Sequence, residues 1–303
     1  MFAVFGALAP TFGRFSNILD IFRTASIYGI CALGLSLIMI TGEIDFCCGM
    51  EMAAGGVAIC LILDSDSFNS YILAVILVLL LGAVIGAVNW ALHCKVGIPA
   101  FIATMGTSLF IQGILMGLTS SARVFSTKWP ENFRTLGTGR LFDTIPYPAI
   151  CFLILSVVLL FFTEGTNSGK KLYAVGSNAN TCKYIGIDAS REKLKAFIIG
   201  AVCASFAGIL HASTNGGAIY SLGDNALLNG LTILMLGATF WRIGVFNVPG
   251  TIVAALMISA IDNGLTIMGV GTFGKYLVKG GVLLFAVFIV TVLRKSAARG
   301  KQT

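Results

Sequence analysis

Three carboxylates stand close together in the segment Gly42-Glu43-Ile44-Asp45-Phe46-Cys47-Cys48-Gly49-Met50-Glu51, between two apolar runs of a 303-residue chain. Acids at such a junction can support a gate, line a cavity or carry protons. An acid inside a bilayer costs about 2.5–3.5 kcal/mol on insertion scales and is kept where function needs it. The flanking glycines Gly42, Gly49, Gly55 and Gly56 would permit a broken helix around a cavity. An ordinary inner-surface loop with its acids among lipid headgroups fits the same residues, and both readings stand. Asp262 and Asn263 close a later apolar run, as a helix terminus or as groups lining a pathway. Glu43, Asp45 and Asn263 are therefore the candidate translocation residues.

Other chemistry finds less support. Gly269-Val270-Gly271-Thr272-Phe273-Gly274-Lys275 fits the start of a phosphate-binding loop, but Tyr276 stands where a magnesium-holding Ser or Thr belongs. The two histidines, His93 and His211, and eight scattered cysteines form no metal-ligand spacing. His211 reads as a helix–helix contact, and Cys47 and Cys48 as small buried hydrophobes. No nucleophile and base pair stands out. The expectation is a non-enzyme with no catalytic residue, cofactor or metal of its own.

The elements that must position these residues follow from composition. Hydrophobic residues make up 57% of the chain and charged ones 11%, against about 25% charged in ordinary domains. The mean hydropathy is +0.93. So little charge could not cover a soluble surface, and the 36 glycines suit close helix packing in lipid. Gly82 with Gly86, and Gly113 with Gly117, have the spacing for it. Stretches free of Asp, Glu, Lys and Arg occupy residues 24–42, 67–94, 96–122, 144–163, 196–223, 225–241 and 243–261. Residues 46–63 and 276–293 carry one interruption each, Glu51 and Lys279. A helix needs about 20 apolar residues to cross, so the chain predicts an all-α polytopic membrane protein of about nine spans, one domain over 1–303.

Basic residues orient it. With the 164–195 loop in the cytoplasm, alternation also brings Lys95, Arg242 and the tail residues Arg294, Lys295, Arg299 and Lys301 inside, a modest bias of the right sign. The C-terminus is then cytoplasmic, and its basic cluster reads as an orientation signal and anionic-lipid contact rather than a nucleic-acid site. Residues 1–10 are apolar but too short to span, which predicts either an earlier start that would complete one more helix or a chain that begins with its N-terminus outside.

The 164–195 loop is more ordered than orientation requires. Asn178 can cap a short helix over 179–185, Gly186 can end it in a left-handed turn, and Asp188 to Arg191 open the next helix. Ile185 and Ile187 are then offered to a separate partner.

The segment Leu172-Tyr173-Ala174-Val175-Gly176-Ser177-Asn178 through Ile185-Gly186-Ile187-Asp188 resembles the cytoplasmic coupling loop of sugar ABC-importer permeases of the ribose, xylose and galactoside type. GEIDFCCGMEMAAGGVA, VGIPAFIATMGTSLFIQG, LNGLTILMLGATFWRIG and NVPGTIVAALMISAIDNGL resemble that family's other segments in the same order. The resemblance implies about ten spans with the first one truncated here. It also implies three partners: a second permease copy, a cytosolic ATPase that supplies the energy, and an extracytoplasmic solute-binding protein. ATPase coupling falls to Tyr173, Gly176, Asn178, Ile185, Gly186 and Ile187. Glu43, Glu51, the Cys47-Cys48 pair and Trp241-Arg242 depart from the family pattern. Branched-chain amino-acid ABC permeases are the nearest rival, disfavoured by Ile44-Asp45. A proton-coupled secondary transporter using Glu43, Asp45 and Glu51 is the rival from another class.

Overall fold

The computed structural model describes residues 11–65, 70–125 and 129–299, with side chains described as far as Val292. The readings made on residues 1–10 and on the side chains of Arg294, Lys295, Arg299 and Lys301 lie outside the described residues.

The chain is helical almost throughout. The helices are α1 (Phe15–Ile40), α2 (Cys48–Asp64), α3 (Tyr71–Cys94), α4 (Ala100–Thr119), α5 (Glu131–Thr138), α6 (Tyr147–Leu160, continued by a π-helical turn Phe161–Gly165), α7 (Asn167–Ser177), α8 (Ala179–Tyr184), α9 (Ala189–Asn215), α10 (Leu222–Gly237), α11 (Val248–Ile267) and α12 (Thr272–Arg299). Two short strands, β1 (Arg140–Leu141) and β2 (Ile145–Pro146), pair antiparallel between α5 and α6. Among the described residues, seven helices are long and apolar enough to cross a membrane: α1, α3, α4, α6 with its π-turn, α9, α11 and α12. This is a polytopic helical membrane protein. At 17 and 16 residues, α2 and α10 fall below that length.

The core sits where α9 packs on α1, α2 and α3. Lipid is as apolar as leucine, so close backbone approach between small residues does the work that the hydrophobic effect does in water. Gly34 of α1 meets Gly200 of α9, Gly55 of α2 meets the Ser205 backbone, and Gly208 of α9 faces the Met52 carbonyl with no room for a Cβ. Gly82 and Gly86 of α3 pack on Ala201, Ser205 and Phe197 of α9, as their spacing predicts. Gly113 and Gly117 do not follow them, since both open onto empty space within this chain. Gly86→Leu should therefore lower the melting temperature and yield of the detergent-purified protein sharply, whereas Gly113→Leu should leave both near wild type. A scanning thermal assay of the two variants side by side decides it, and equal losses would contradict this packing.

Helix bounds depart from the charge-free runs for local reasons. α9 starts on its Asp188 cap, whose Oδ1 accepts from Ser190 N at 3.0 Å, several residues before the run at 196. Among its early charges, Lys195 pairs with Glu192 within the helix at 2.9 Å. Gly216, at φ +64°, stops it before 223. α11 starts on Asn247, whose Oδ1 accepts from Gly250 N at 2.7 Å. It then runs through Asp262 and Asn263 to Ile267, so these two are helix interior rather than a terminus. Lys279 of α12, 3.2 Å from Asp262, makes that continuation tolerable.

The N-terminal ends of α2 and α10 abut, Gly49 pressing on the Gly223 carbonyl and Gly223 on Met50. Non-helical segments, 41–47 and 216–221, lead into them.

Candidate functional site

Three groups of residues stand out, and the first is the pair of helices α7 and α8. Thr166 caps α7, its Oγ1 accepting from Gly169 N at 3.2 Å. Asn178 caps α8, its Oδ1 accepting from Asn180 N and Thr181 N at 3.0 Å each. Gly186 stands at φ +74° and ends the element as its residue type requires. The exposed face carries Asn178, Tyr184 at 91% and Ile185 at 66% exposure, while Ile187 is half-buried. Tyr173 and Gly176 point the other way. The backbone at Gly176 lies against the Ile40 carbonyl at the end of α1, and the Tyr173 hydroxyl donates to Glu164 Oε1 at 3.3 Å. So the six residues predicted for coupling divide between an outward face and an inward one. The helix α7 itself was not read from the sequence, although its buried residues Gly169, Leu172 and Val175 recur at three-residue spacing along one face.

A cavity of about 450 Å³ lies beside α7 at this end. It is lined by Ile40, Gly42, Glu43, Tyr173, Gly176 and Phe246, among others. Glu43 therefore faces the same space as Tyr173. Its Oε1 accepts from Lys193 Nζ of α9 at 2.5 Å and lies 3.2 Å from His93 Nε2 of α3. The His93 Nδ1 lies 2.9 Å from the Ile98 carbonyl. Burial alone would raise the Glu43 carboxyl, but hydrogen bonds from His93 and Lys193 outweigh it and hold the group down at about 2. A depressed carboxylate contributes stability above its unfolded value and loses it only as pH falls through the folded one. Acidification to pH 5 therefore leaves Glu43 ionised and paired with Lys193.

The other two acids are elsewhere in the same junction. Asp45, 1% exposed, turns its Oδ1 to the Cys47 N–H at 2.7 Å and shapes the entry into α2. Glu51 is fully buried in α2 and accepts from Asn89 Nδ2 of α3 at 3.2 Å. Lys193, His93 and Asn89 were all missed as partners, since their contacts join residues 38 to 150 positions apart. Cys47 and Cys48 are buried free thiols. Among the described residues no group of three His, Cys, Asp or Glu is placed to hold a metal ion.

The third group lies where α10, α11 and α12 meet. Asp224 and Asn225 are exposed on the first turn of α10. The Tyr276 hydroxyl of α12 donates to Asn225 Oδ1, and Lys279 pairs with Asp262 at 3.2 Å. Asn263 Oδ1 is buried without a hydrogen-bond partner. Hydrocarbon cannot solvate this set, so it must face water or another protein surface. Of this set, Asp262 and Asn263 were read from sequence as a terminus or pathway groups, and Asn263 alone was carried as a translocation candidate. Lys279 was visible as the lone charge in its run, and pairing it with Asp262 across neighbouring spans was the available signal. Ala260, one turn before Asn263, packs with Ile21 near the start of α1, whereas Glu43 and Asp45 follow the other end of that helix at Ile40, so the three candidates belong to two separate places.

Comparison with known proteins places this geometry in context. The family model described as "Branched-chain amino acid transport system / permease component" matches residues 17–287. The ribose import permease protein of Escherichia coli (strain K12) is 29% identical over 292 residues, covering 95% of this chain and 90% of that protein. The D-allose transport system permease protein of the same strain is 29% identical, covering 97% and 89%. The xylose transport system permease protein of Haemophilus influenzae is 28% identical, covering 92% and 90%.

Proposed function

Because the chain belongs to the branched-chain amino acid transport system permease component family, we propose that it is the membrane-spanning permease of an ATP-binding-cassette importer for a simple sugar. Ribose, allose and xylose permeases matched along about nine-tenths of their length favour a sugar over a branched-chain amino acid. The permease catalyses no covalent step, and a separate subunit hydrolyses ATP.

The observation that carries the coupling reading is α8. Its capped start at Asn178, its left-handed stop at Gly186 and its exposed Tyr184 and Ile185 make a rigid, partly apolar knob. An element of that kind suits docking on a cytosolic ATPase. With this end in the cytoplasm, α1, α2, α3, α4, α6, α9, α10, α11 and α12 alternate as nine crossings. The C-terminus is then inside and the α5–hairpin end is outside, where a solute-binding protein would deliver sugar. In this arrangement α2 and α10 reach their short lengths because non-helical segments complete their passage. The polar groups of α10, α11 and α12 form a path wall that a second permease copy completes. ATP-driven motion at α8 then exposes the path to alternate sides. The chain acts as a single permease domain, with 164–195 as its coupling loop.

The direct experiment is uptake of labelled D-ribose, D-xylose and D-allose by cells or proteoliposomes holding the permease, its ATPase and its binding protein. ATP-dependent accumulation of one of them is expected. Accumulation driven by a proton gradient with no ATPase present would establish the secondary-transporter alternative.

That alternative sharpens the role of the acids. The ion-paired Glu43 and the turn-forming Asp45 are held as structural groups of the inner junction rather than as free carriers. Neutralising both, Glu43→Gln with Asp45→Asn, should reduce uptake severalfold without creating dependence on the proton gradient. Wild-type uptake that collapses with a protonophore while ATP is held constant would overturn this assignment.

A further inference from the structure

Arg242 stands in the loop 238–247 between α10 and α11, and the six residues predicted for coupling do not include it. Its Nη2 donates to Glu164 Oε2 at 2.6 Å. Its guanidinium carbon lies 5.0 Å above the Tyr173 ring. Tyr173 returns to the other Glu164 oxygen, so the three side chains close a ring of contacts. Glu164 comes from the π-helical turn that ends α6, and Tyr173 from the inward face of α7. A π-turn inside an α-helix is uncommon and is found most often at functional positions.

The loop that carries Arg242 is built to hold it still. Trp241, just before it, takes a left-handed φ of +60°, an unusual state for a bulky residue. The Gly244 N–H donates to the Ala238 carbonyl at 2.8 Å. Asn247 donates to Phe240 O at 3.2 Å and to Val245 O at 2.8 Å, while its Oδ1 caps α11. Arg242 is thus rigidly joined to the start of α11 and, through Ala238, to the end of α10. The side chains of Arg242 and Glu164 are 44% and 29% exposed. A pair this open to solvent adds little to folding stability, so its geometry calls for another explanation.

We propose that Arg242 is a positioning residue that transmits motion of the coupling element to α10 and α11 through Glu164 and Tyr173. This rests on the reading of α7 and α8 as the ATPase-coupling element. Displacement of α7 pulls on Tyr173 and Glu164, Arg242 moves with them, and the rigid loop passes the shift to the helices that carry Asn225 and Asp262. The cavity beside Tyr173 provides the space such a movement needs. The Glu43–Lys193 pair ties the other side of that cavity to α9 and has no bond to Arg242.

The test uses the complete importer with its ATPase and binding protein, reading labelled-sugar uptake and ATP hydrolysis together. Arg242→Gln and Glu164→Gln should each lower the sugar moved per ATP about tenfold, with ATPase binding and hydrolysis kept within about twofold, in line with typical coupling energies. Arg242→Lys, which keeps the charge but loses the planar fork, should fall between. The exchange Glu164→Arg with Arg242→Glu should recover much of the lost ratio. Uptake and hydrolysis falling together without recovery in the exchange would reduce the pair to local packing, and a normal sugar-to-ATP ratio in Arg242→Gln would overturn the proposal. Retained ATPase binding in a variant lacking α8's Tyr184 and Ile185 side chains would instead count against the coupling element itself.

Discussion

Gly186→Val should cut ATP-driven sugar uptake about tenfold or more while the protein still inserts. Gly186 sits at φ +74° with open space where a side chain would go. Its requirement is thus purely one of backbone conformation. A branched residue at that position costs about 1–2 kcal/mol or more in the left-handed region, enough to shift a local equilibrium about tenfold. The chain escapes by turning to negative φ, which misdirects Ile187 and the Asp188 cap of α9 and tilts α8 out of its docking pose. Folding of the bundle is spared, because neither side of Gly186 packs into the core. Gly186→Asn is the companion variant, since asparagine tolerates the left-handed region, and it should retain most of the uptake. Membrane content by immunoblot, ATPase pull-down and uptake separate the outcomes. Normal transport by the valine variant with the ATPase still bound would remove this segment from the coupling role.

What the sequence made legible was local. The cap at Asn178, the stop at Gly186 and the start at Asp188 depend on residues within a few positions of one another, and each lies where its chemistry demands. The apolar runs announced the spans for the same reason. Their ends were misjudged where a charge is satisfied by a distant partner, as Lys279 does for Asp262. Charge alone could not distinguish that arrangement from a helix terminus. Gly86 and Gly113 had equal claims as packing sites, and only the position of α9 separates them. The acid junction was recognised as a whole, yet its division into an ion-paired Glu43, a turn-forming Asp45 and an amide-bound Glu51 rests on His93, Lys193 and Asn89 arriving from other helices. Arg242 registered as an orienting charge and, with Trp241, as a departure from a family pattern, but its bond to Glu164 did not, because Glu164 lies 78 residues away.

Lys279→Met should be among the most damaging single changes in the molecule, and more damaging than losing both charges together. Lys279 and Asp262 face each other at 3.2 Å between α12 and α11, with side chains only 14% and 24% exposed. The pair is partly buried, so removing one member strands the other charge at some fraction of the ~3–5 kcal/mol typical of a fully buried pair, whereas replacing both by neutral groups of similar size is often close to neutral. Lys279→Met should therefore lower the melting temperature of the purified protein and nearly abolish uptake. Lys279→Met with Asp262→Leu should recover most of the melting temperature. If the pair also lines the sugar path beside Asn225 and Tyr276, the double variant should stay defective in uptake although it folds, with ATP hydrolysis preserved. Recovery of both properties would assign the pair to helix packing alone. Recovery of neither, with a Lys279→Met variant no worse than the double one, would show that the two charges act independently.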